Sequence, residues 1–409
     1  MRQEVVGIKR EYINDILFYV LLFFGLFDAA RNYTPLPEWI GYSKDIAIFL
    51  LYVLNRDKIR FLPQKIIVIQ CIFWFLWGFA GIFYSGGYSP VKIVIGIIKY
   101  LEFFMLITLF YNWERLFRLE MEQALSRYIQ GSMCIFIVNL VGYYIPNPIC
   151  YVGLSNGNVA AGFYGGRISV GQPPIAALPM VFSCVYLLFC RSDEIFKILF
   201  LITGIVLSTT NTGIVALGAC FVVYGVYLLI SRKKIPRKYL IAVLIVLGLL
   251  VIFHRQLLVI FDDQITMYRR KIFSILQGGK DASMEGRKVN WMFALNTLQT
   301  KVQWLLGRGM YGFCIGGEYR HIENTYVSML CTYGIVGLVT FLIYLGKAAW
   351  GYLKGFWKTH DALCGFGICV ILIYLLHMYT LDTLIVYTLT FGFNFFYVMT
   401  GKKINRQGV

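Results

Sequence analysis

Four ionisable side chains precede a long apolar run in the stretch from residue 318 to residue 338, EYRHIENTYVSMLCTYGIVGL. These side chains are Glu318, Arg320, His321 and Glu323. An imidazole at such a boundary can act as a general base because its pKa is already near the working pH, and a carboxylate can because partial burial raises its pKa towards that pH. A carboxylate just before a helix also stabilises the helix dipole, and Asn324 suits the N-cap of that helix. Catalysis and helix initiation are therefore both open for Glu323, and His321 is the second candidate for the proton acceptor.

Arginines are frequent in the segments around this stretch. The guanidinium group donates two parallel hydrogen bonds and stays charged, which suits it to phosphate. Arg269 and Arg270 are better interpreted as side chains that snorkel to lipid phosphates. The candidates for a pyrophosphate site are Arg167, Arg287, Arg308 and Arg320. Arg167 and Arg287 each follow a glycine, and they are the two that we favour for a functional role.

The composition indicates that membrane helices position these side chains. Of the 409 residues, 58% are hydrophobic and only 14% are charged, whereas a soluble domain carries about 25% charged residues. The sequence therefore predicts an all-α, polytopic integral membrane protein. The net charge of +17 does not indicate a nucleic-acid partner, because Lys and Arg are scattered between apolar segments, where they set the membrane topology.

Hydropathy predicts about twelve transmembrane helices, since crossing the bilayer takes about 20 apolar residues. Loops rich in Lys and Arg alternate along the chain with loops that are poor in them. Because cytoplasmic loops are the enriched ones, this pattern predicts that both termini lie in the cytoplasm. The predicted helices are 13–30, 37–54, 65–84, 91–111, 126–145, 173–190, 194–209, 212–230, 239–255, 325–346, 362–380 and 383–400.

Residues 1–409 are predicted to form one membrane domain with two notable outer loops, 146–172 and 256–324. Loops this long are usually functional or disordered. The second loop contains the helix-like stretch GRKVNWMFALNTLQTKVQWLLG. We therefore expect a partly helical cap on the outer, periplasmic face.

Charges inside the predicted helices are costly and need partners. Lys99 and Glu102 are three residues apart, so we expect them to pair on one helix face. His377 and Asp382 lie near the outer end of the predicted helix 362–380, where they are expected to border the same site as Glu323.

No nucleotide-binding loop, dinucleotide fingerprint, zinc motif or nucleophile elbow occurs in the sequence, so no cofactor is predicted. The predicted cytoplasmic loops are too short for an ATPase or a nucleotide-sugar transferase domain. An enzyme with this layout has to work at the outer face on a substrate that is already activated.

Four features together resemble the O-antigen polymerase (Wzy) family, within the superfamily that also contains O-antigen ligases. One is the polytopic layout, and the others are sequence segments covering most of residues 150–346. The segments are GGRISVGQPPIAALP, EGRKVNWMFALNTLQTKVQWLLGRGMYGF and ENTYVSMLCTYGIVGLVTFLIYL. The specific part is the order G-R-x-x-x-W, L-G-x-G, N-x-Y and G-I-x-G.

The resemblance implies a metal- and nucleotide-independent glycosyltransferase in the bacterial inner membrane, with its active site facing the periplasm. Such an enzyme joins oligosaccharide repeat units carried on undecaprenyl pyrophosphate. Arg167 and Arg287 would stabilise the departing pyrophosphate, where negative charge develops, and Glu323 or His321 would activate the acceptor hydroxyl. The implied partners are the carrier-linked glycan, the lipid bilayer and a chain-length regulator protein. Asn324 and Tyr326 carry the N-x-Y motif.

Two departures from the family pattern leave alternatives open. Glu323-Asn324 stands where many relatives have His-Asn, so the base is open between Glu323 and His321, and STTNTG stands where relatives often show Ser-Arg. The same residues fit an O-antigen ligase or another lipid-linked glycan transferase. A polysaccharide transporter or flippase is a third interpretation; inverted repeats and midplane polar residues would favour it, and the sequence shows no clear repeat.

Overall fold

The computed structural model describes seven long ranges of the chain and two further residues, Ile245 and Gly248. The ranges are 2–31, 38–60, 65–144, 173–232, 251–276, 282–314 and 322–406. Every regular secondary-structure element within them is helical, which confirms the all-α class for this part of the chain.

The helices are named here in chain order. The first group is α1 (Arg2–Arg31), a 3₁₀ turn (Glu38–Tyr42), α2 (Ser43–Leu54), α3 (Lys65–Gly78), α4 (Gly81–Tyr84), α5 (Pro90–Tyr111), α6 (Trp113–Leu116), α7 (Met121–Tyr144), α8 (Pro173–Cys190), α9 (Ile195–Leu207) and α10 (Asn211–Ile230). The second group is α11 (His254–Ile260), α12 (Asp262–Leu276), α13 (Ala282–Leu295), α14 (Lys301–Leu306), α15 (Thr325–Thr359), α16 (Ala362–Met378) and α17 (Tyr387–Arg406).

The protein is a multi-pass membrane protein by the length and composition of these helices. Within the described ranges, five helical segments are long and apolar enough to cross a bilayer, and shorter apolar helices, among them α8, α9 and α16, accompany them. The five segments are Ile67–Tyr84, Pro90–Tyr111, Met121–Val141, Asn211–Ile230 and Thr325–Thr359. The count of about twelve spans and the cytoplasmic placement of both termini stay predictions. The outer loop 146–172 and most of the predicted helix 239–255 lie outside the described residues.

Several predicted helices differ in extent from the observed ones, and the first of them, predicted as 13–30, extends over Arg2–Arg31. The predicted helix 37–54 is a 3₁₀ turn followed by the 12-residue α2. The predicted helix 65–84 is interrupted at residues 79–80. The predicted helix 325–346 continues to Thr359, because Tyr352 and Phe356 beyond the apolar run are themselves buried against the bundle. Apolar length alone therefore located the helices without fixing their ends.

The core of the bundle is built around α17, which packs against α1, α5, α8 and α16. Aromatic rings fill this contact: Phe391 of α17 lies 5.4 Å from Phe110 and 6.3 Å from Phe18, centroid to centroid. Such offset and edge-to-face ring pairs add specific geometry to apolar burial. The predicted interaction of Glu102 with Lys99 is electrostatic, and Glu102 also pairs with Lys44 of α2 at 3.5 Å.

The helices α13 and α14 are called the cap below, and residues 307–310, which follow α14, form a backbone joint between the cap and the bundle. α15 kinks at Gly334, where φ is +66°, so carbonyls in the preceding turn lose their helical partners. The amides of Arg308 and Gly309 replace those partners: they donate to the carbonyls of Cys331 at 2.8 Å and Thr332 at 2.9 Å. The L-G-x-G motif after α14 and the G-I-x-G motif at the kink of α15 therefore lie on the two sides of one contact.

The same joint also contacts the interruption between α3 and α4. The amide of Met310 donates to the carbonyl of Gly78 at 2.9 Å. Gly309 has φ +76°, and a Cβ on it would lie 2.1 Å from the amide nitrogen of Gly81. Only glycine allows main chains to approach this closely at a positive φ. The joint therefore connects the cap to two broken helices of the bundle.

Candidate active site

Arg287 of α13 and Glu323 before α15 form the centre of the candidate site. Arg287 Nε donates to Glu323 Oε2 at 2.6 Å, a charge-assisted bond of the strong kind. The two side chains are 24% and 31% exposed, respectively, so a ligand can reach both. The structure thus brings together a predicted phosphate ligand and a predicted base from separate segments of the chain.

The N-x-Y motif attaches the start of α15 to the end of α16. Asn324 caps α15: its Oδ1 accepts from the amide of Val327 at 3.1 Å, and its Nδ2 donates to the carbonyl of Tyr379 at 3.1 Å. Tyr326 donates its hydroxyl to the carbonyl of Leu375 at 3.0 Å. Asn324 and Tyr326 therefore hold Glu323 in place through bonds to the backbone of α16 and its C-terminal turn.

The turn between α16 and α17 completes this attachment. Thr325 Oγ1 donates to the carbonyl of Leu381 at 2.8 Å and also accepts from the amide of Thr383 at 2.8 Å. The amide of Thr325 donates to the same Leu381 carbonyl at 3.0 Å. The first residues of α15 are thus hydrogen-bonded to this turn through main-chain and side-chain groups, which fixes the position of the preceding residue pair.

Asp382 in this turn is a buried carboxylate directly behind the start of α15. It is 7% exposed, and its Oδ2 accepts from Ser328 Oγ at 2.7 Å and from the hydroxyl of Tyr100 at 3.2 Å. Burial raises the pKa of Asp382 to about 6, while the bonds from Ser328, Tyr100 and the amide of Leu384 oppose that rise. A carboxyl that titrates near neutral pH beside a candidate site is typical of functional centres.

Sequence reasoning placed Asp382 near the site without giving it a role. One feature of the sequence could have indicated a role: Asp382 is the only Asp, Glu, Lys or Arg between Asp361 and Lys402. His377, predicted beside it, is fully buried, and its Nδ1 bonds the carbonyl of Ile373 within α16 at 2.8 Å. Its contacts favour a structural role for the imidazole.

Arg308, a predicted pyrophosphate ligand, bonds backbone carbonyls. Its guanidinium donates to Thr297 at 3.0 Å and to Tyr84 at 3.1 Å, and it lies 5.2 Å from the centre of the Tyr84 ring. These contacts connect the turn after α13 to α4. They favour a role in holding the cap over contact with a phosphate.

Three further predicted residues, Arg167, Arg320 and His321, lie outside the described residues. Their proposed roles stay predictions. Within the described part of the chain, Arg287 is the predicted phosphate ligand that bonds a predicted base.

The STTNTG segment, where relatives often show Ser-Arg, forms the break between α9 and α10. Thr212 Oγ1 donates to Thr380 Oγ1 at 3.0 Å, in the same turn that binds the start of α15. Ser208, Thr209 and Thr210 are buried. This segment therefore supplies hydroxyls to the region around the start of α15.

Comparison with known proteins supports a glycan-assembly family. Residues 196–342 match a family model described as O-antigen ligase; no curated protein matches the chain. The matched region runs from α9 into α15 and contains Arg287, Arg308, Glu323, Asn324 and Tyr326, and it covers about a third of the chain. Members of this family are glycosyltransferase-like enzymes of surface polysaccharide assembly. The match supports a place in the O-antigen ligase/polymerase superfamily and does not separate polymerase from ligase.

Proposed function

We propose that this protein is a bacterial surface-polysaccharide polymerase. It joins oligosaccharide repeat units carried on undecaprenyl pyrophosphate, at the periplasmic face of the inner membrane, without a metal or a nucleotide. The observation that carries the proposal is the 2.6 Å bond between Arg287 and Glu323, at the edge of the cap and inside the region that matches the O-antigen ligase model. A guanidinium and a carboxylate at this spacing supply the two groups that glycosyl transfer from a pyrophosphate requires.

The reaction can be written with its bonds balanced. The oxygen of an acceptor hydroxyl bonds to the anomeric carbon of the donor unit, and the bond from that carbon to the pyrophosphate oxygen breaks. The electron pair of the broken bond stays on the pyrophosphate, where Arg287 stabilises the developing negative charge. The hydroxyl proton passes to the Glu323 carboxylate. When the pyrophosphate accepts the hydrogen bond from Arg287 in place of Glu323, Glu323 Oε2 becomes free to accept this proton.

Asp382 acts in this scheme as a positioning residue. It holds Ser328, in the second turn of α15, against Tyr100 of α5. The start of α15 is thereby fixed from inside the bundle as well as from the α16–α17 turn. Misplacing a catalytic carboxylate by about 1 Å can cost about 100-fold in rate, so this support is part of the proposed active site.

Reconstitution tests the proposal. Purified protein in lipid vesicles should convert carrier-linked repeat units, isolated from the producing bacterium, into longer chains. Arg287→Ala should abolish elongation, and Arg287→Lys should fail too because a lysine does not reproduce the planar guanidinium fork. Arg269→Ala, at an exposed arginine of α12, is the matched control and should elongate normally.

The base is tested by Glu323→Gln and Glu323→Ala beside His321→Ala. If Glu323 is the base, both Glu323 variants should lose elongation although they insert normally into the membrane. If its charge only stabilises the start of α15, the variants should lose only stability. Elongation at the wild-type rate in Arg287→Ala would remove this residue pair from the active site. Movement of repeat units across the vesicle membrane without elongation would instead identify a transporter.

An O-antigen ligase is the second candidate, favoured by the description of the matching family model. The glycans of a deletion strain distinguish the two enzymes. Loss of a polymerase leaves lipid A capped with single repeat units. Loss of a ligase leaves lipid A uncapped, and carrier-linked chains accumulate.

A further inference from the structure

Tyr379, at the C-terminal end of α16, is an exposed ring in an otherwise buried turn. It is 46% exposed, whereas Leu381 and Asp382, which follow it, are 3% and 7% exposed. Its carbonyl accepts the hydrogen bond from Asn324 Nδ2 at 3.1 Å. The residue after Glu323 therefore anchors the backbone that carries this ring, and the ring has a defined place beside the candidate site.

Trp291 of α13 supports the Tyr379 ring from the cap side. The two ring centroids are 5.5 Å apart and the planes meet at 68°, an edge-to-face contact. Trp291 follows Arg287 by four residues, so both side chains lie on the same face of α13. Arg287, Trp291 and Tyr379 consequently form a row that begins at the bond to Glu323.

We propose that Tyr379, supported by Trp291, is the stacking surface for the sugar ring next to the pyrophosphate; this inference rests on the proposed function. That sugar is bonded directly to the pyrophosphate, so it has to lie close to Arg287. Four residues, a rise of about 6 Å, separate Arg287 from Trp291 along α13, and 5.5 Å separates the centroids of the Trp291 and Tyr379 rings. The spacing suits a sugar attached to a phosphate on Arg287.

The chemistry of Tyr379 fits a sugar in two ways. The C–H face of a pyranose is flat and apolar, and an aromatic ring covers such a face while the sugar hydroxyls stay free for hydrogen bonds. Ligand sites generally combine aromatic walls with a few polar groups that fix orientation. Here the polar groups are Arg287 and Glu323, at the other end of the row.

A tyrosine at the bilayer surface is the competing interpretation, because tyrosine is enriched at membrane interfaces. Tyr42, in the 3₁₀ turn before α2, offers a matched comparison, since it is 48% exposed. If the two tyrosines only anchor the protein in lipid, leucine should replace either one with the same effect. A sugar-stacking ring should tolerate only another aromatic ring.

The experiment measures initial elongation rates in vesicles against the concentration of carrier-linked repeat units from the producing bacterium. Tyr379→Leu should raise KM about fivefold to tenfold, the size of one aromatic contact, with kcat within about twofold, because binding is lost equally in ground state and transition state. Tyr379→Phe and Tyr379→Trp should retain the wild-type KM. Tyr42→Leu should leave both constants unchanged.

Two outcomes overturn the inference: an unchanged KM in Tyr379→Leu, or an equal rise in Tyr42→Leu. If Tyr379→Leu does not fold, Tyr379→Met keeps an apolar contact to Trp291 without a flat ring, and an unchanged KM in that variant is equally decisive. Failure of the wild type to extend any carrier-linked unit would instead refute the proposed function. The two failures are therefore distinguishable in one assay.

Discussion

Replacing Asp382 with asparagine is expected to change how the stability of the protein depends on pH. The Asp382 carboxyl is 7% exposed, and burial raises its pKa from 3.8 to about 6. Each unit of difference between the two pKa values corresponds to about 1.4 kcal/mol. The tighter binding of the proton therefore stabilises the folded state by about 3 kcal/mol. This is a sizeable fraction of the free energy of unfolding of a typical protein domain.

The sign follows from proton linkage. Because the folded state binds the proton more tightly than the unfolded state, the stabilisation is complete below about pH 4 and is lost as the pH rises through about 6. Asp382→Asn does not ionise, and its amide oxygen can still accept from Ser328. The variant should therefore gain about 3 kcal/mol of stability relative to the wild type between about pH 4 and about pH 8.

Unfolding in mixed detergent micelles, followed by tryptophan fluorescence at a series of pH values, measures this gain. Asp193→Asn, at an exposed aspartate between α8 and α9, controls for the substitution itself. Parallel stability curves for the wild type and Asp382→Asn would refute the argument from burial. A gain that occurs in Asp193→Asn as well would assign the effect to net charge.

Three further predictions concern the joint and the cap. Gly309→Ala should lower the yield of folded protein on size-exclusion chromatography, because φ is +76° and the methyl group meets backbone, a strain of about 1–3 kcal/mol from the dihedral alone; Gly286→Ala, where the methyl group meets open space, should fold normally. Asn324→Ala should cost about 1 kcal/mol in the unfolding assay through loss of the helix cap. Arg308→Lys should speed limited proteolysis between residues 296 and 300, because one amine cannot bond the carbonyls of Thr297 and Tyr84 with the geometry of the guanidinium; equal proteolysis rates would contradict the cap-holding role.

The membrane class and most helix positions could be predicted because apolar length is a local property of the sequence. The break between α3 and α4 and the kink in α15 could not, since Gly78 and Gly334 are matched to a loop far away in the chain. The predicted pairing of Lys99 with Glu102 followed from helical spacing alone. The structure adds a second cation, Lys44 from another helix, at 3.5 Å from Glu102, which helical spacing could not indicate.

The sequence predicts the residues of the candidate site, but it does not predict which of them contact each other. Arg287 and Glu323 have side chains that suit phosphate binding and proton transfer, but their bond depends on how the cap lies over α15. The environment of Asp382 is contributed by Tyr100 and Ser328 from two other helices. These three residues are far apart in the sequence. The burial and the hydrogen bonds of the Asp382 carboxyl could therefore not be predicted from the sequence alone.

The joint at residues 307–310 has a consequence for how such proteins diversify. Its bonds run between main-chain groups, so the side chains of Arg308 and Met310 take no part in them. Gly307, Gly309 and Gly334 are positions where the approach of the two chains leaves no room for a side chain. Cap sequences that keep these glycines, their register and the bonds from Arg308 to Thr297 and Tyr84 are therefore compatible with the same bundle.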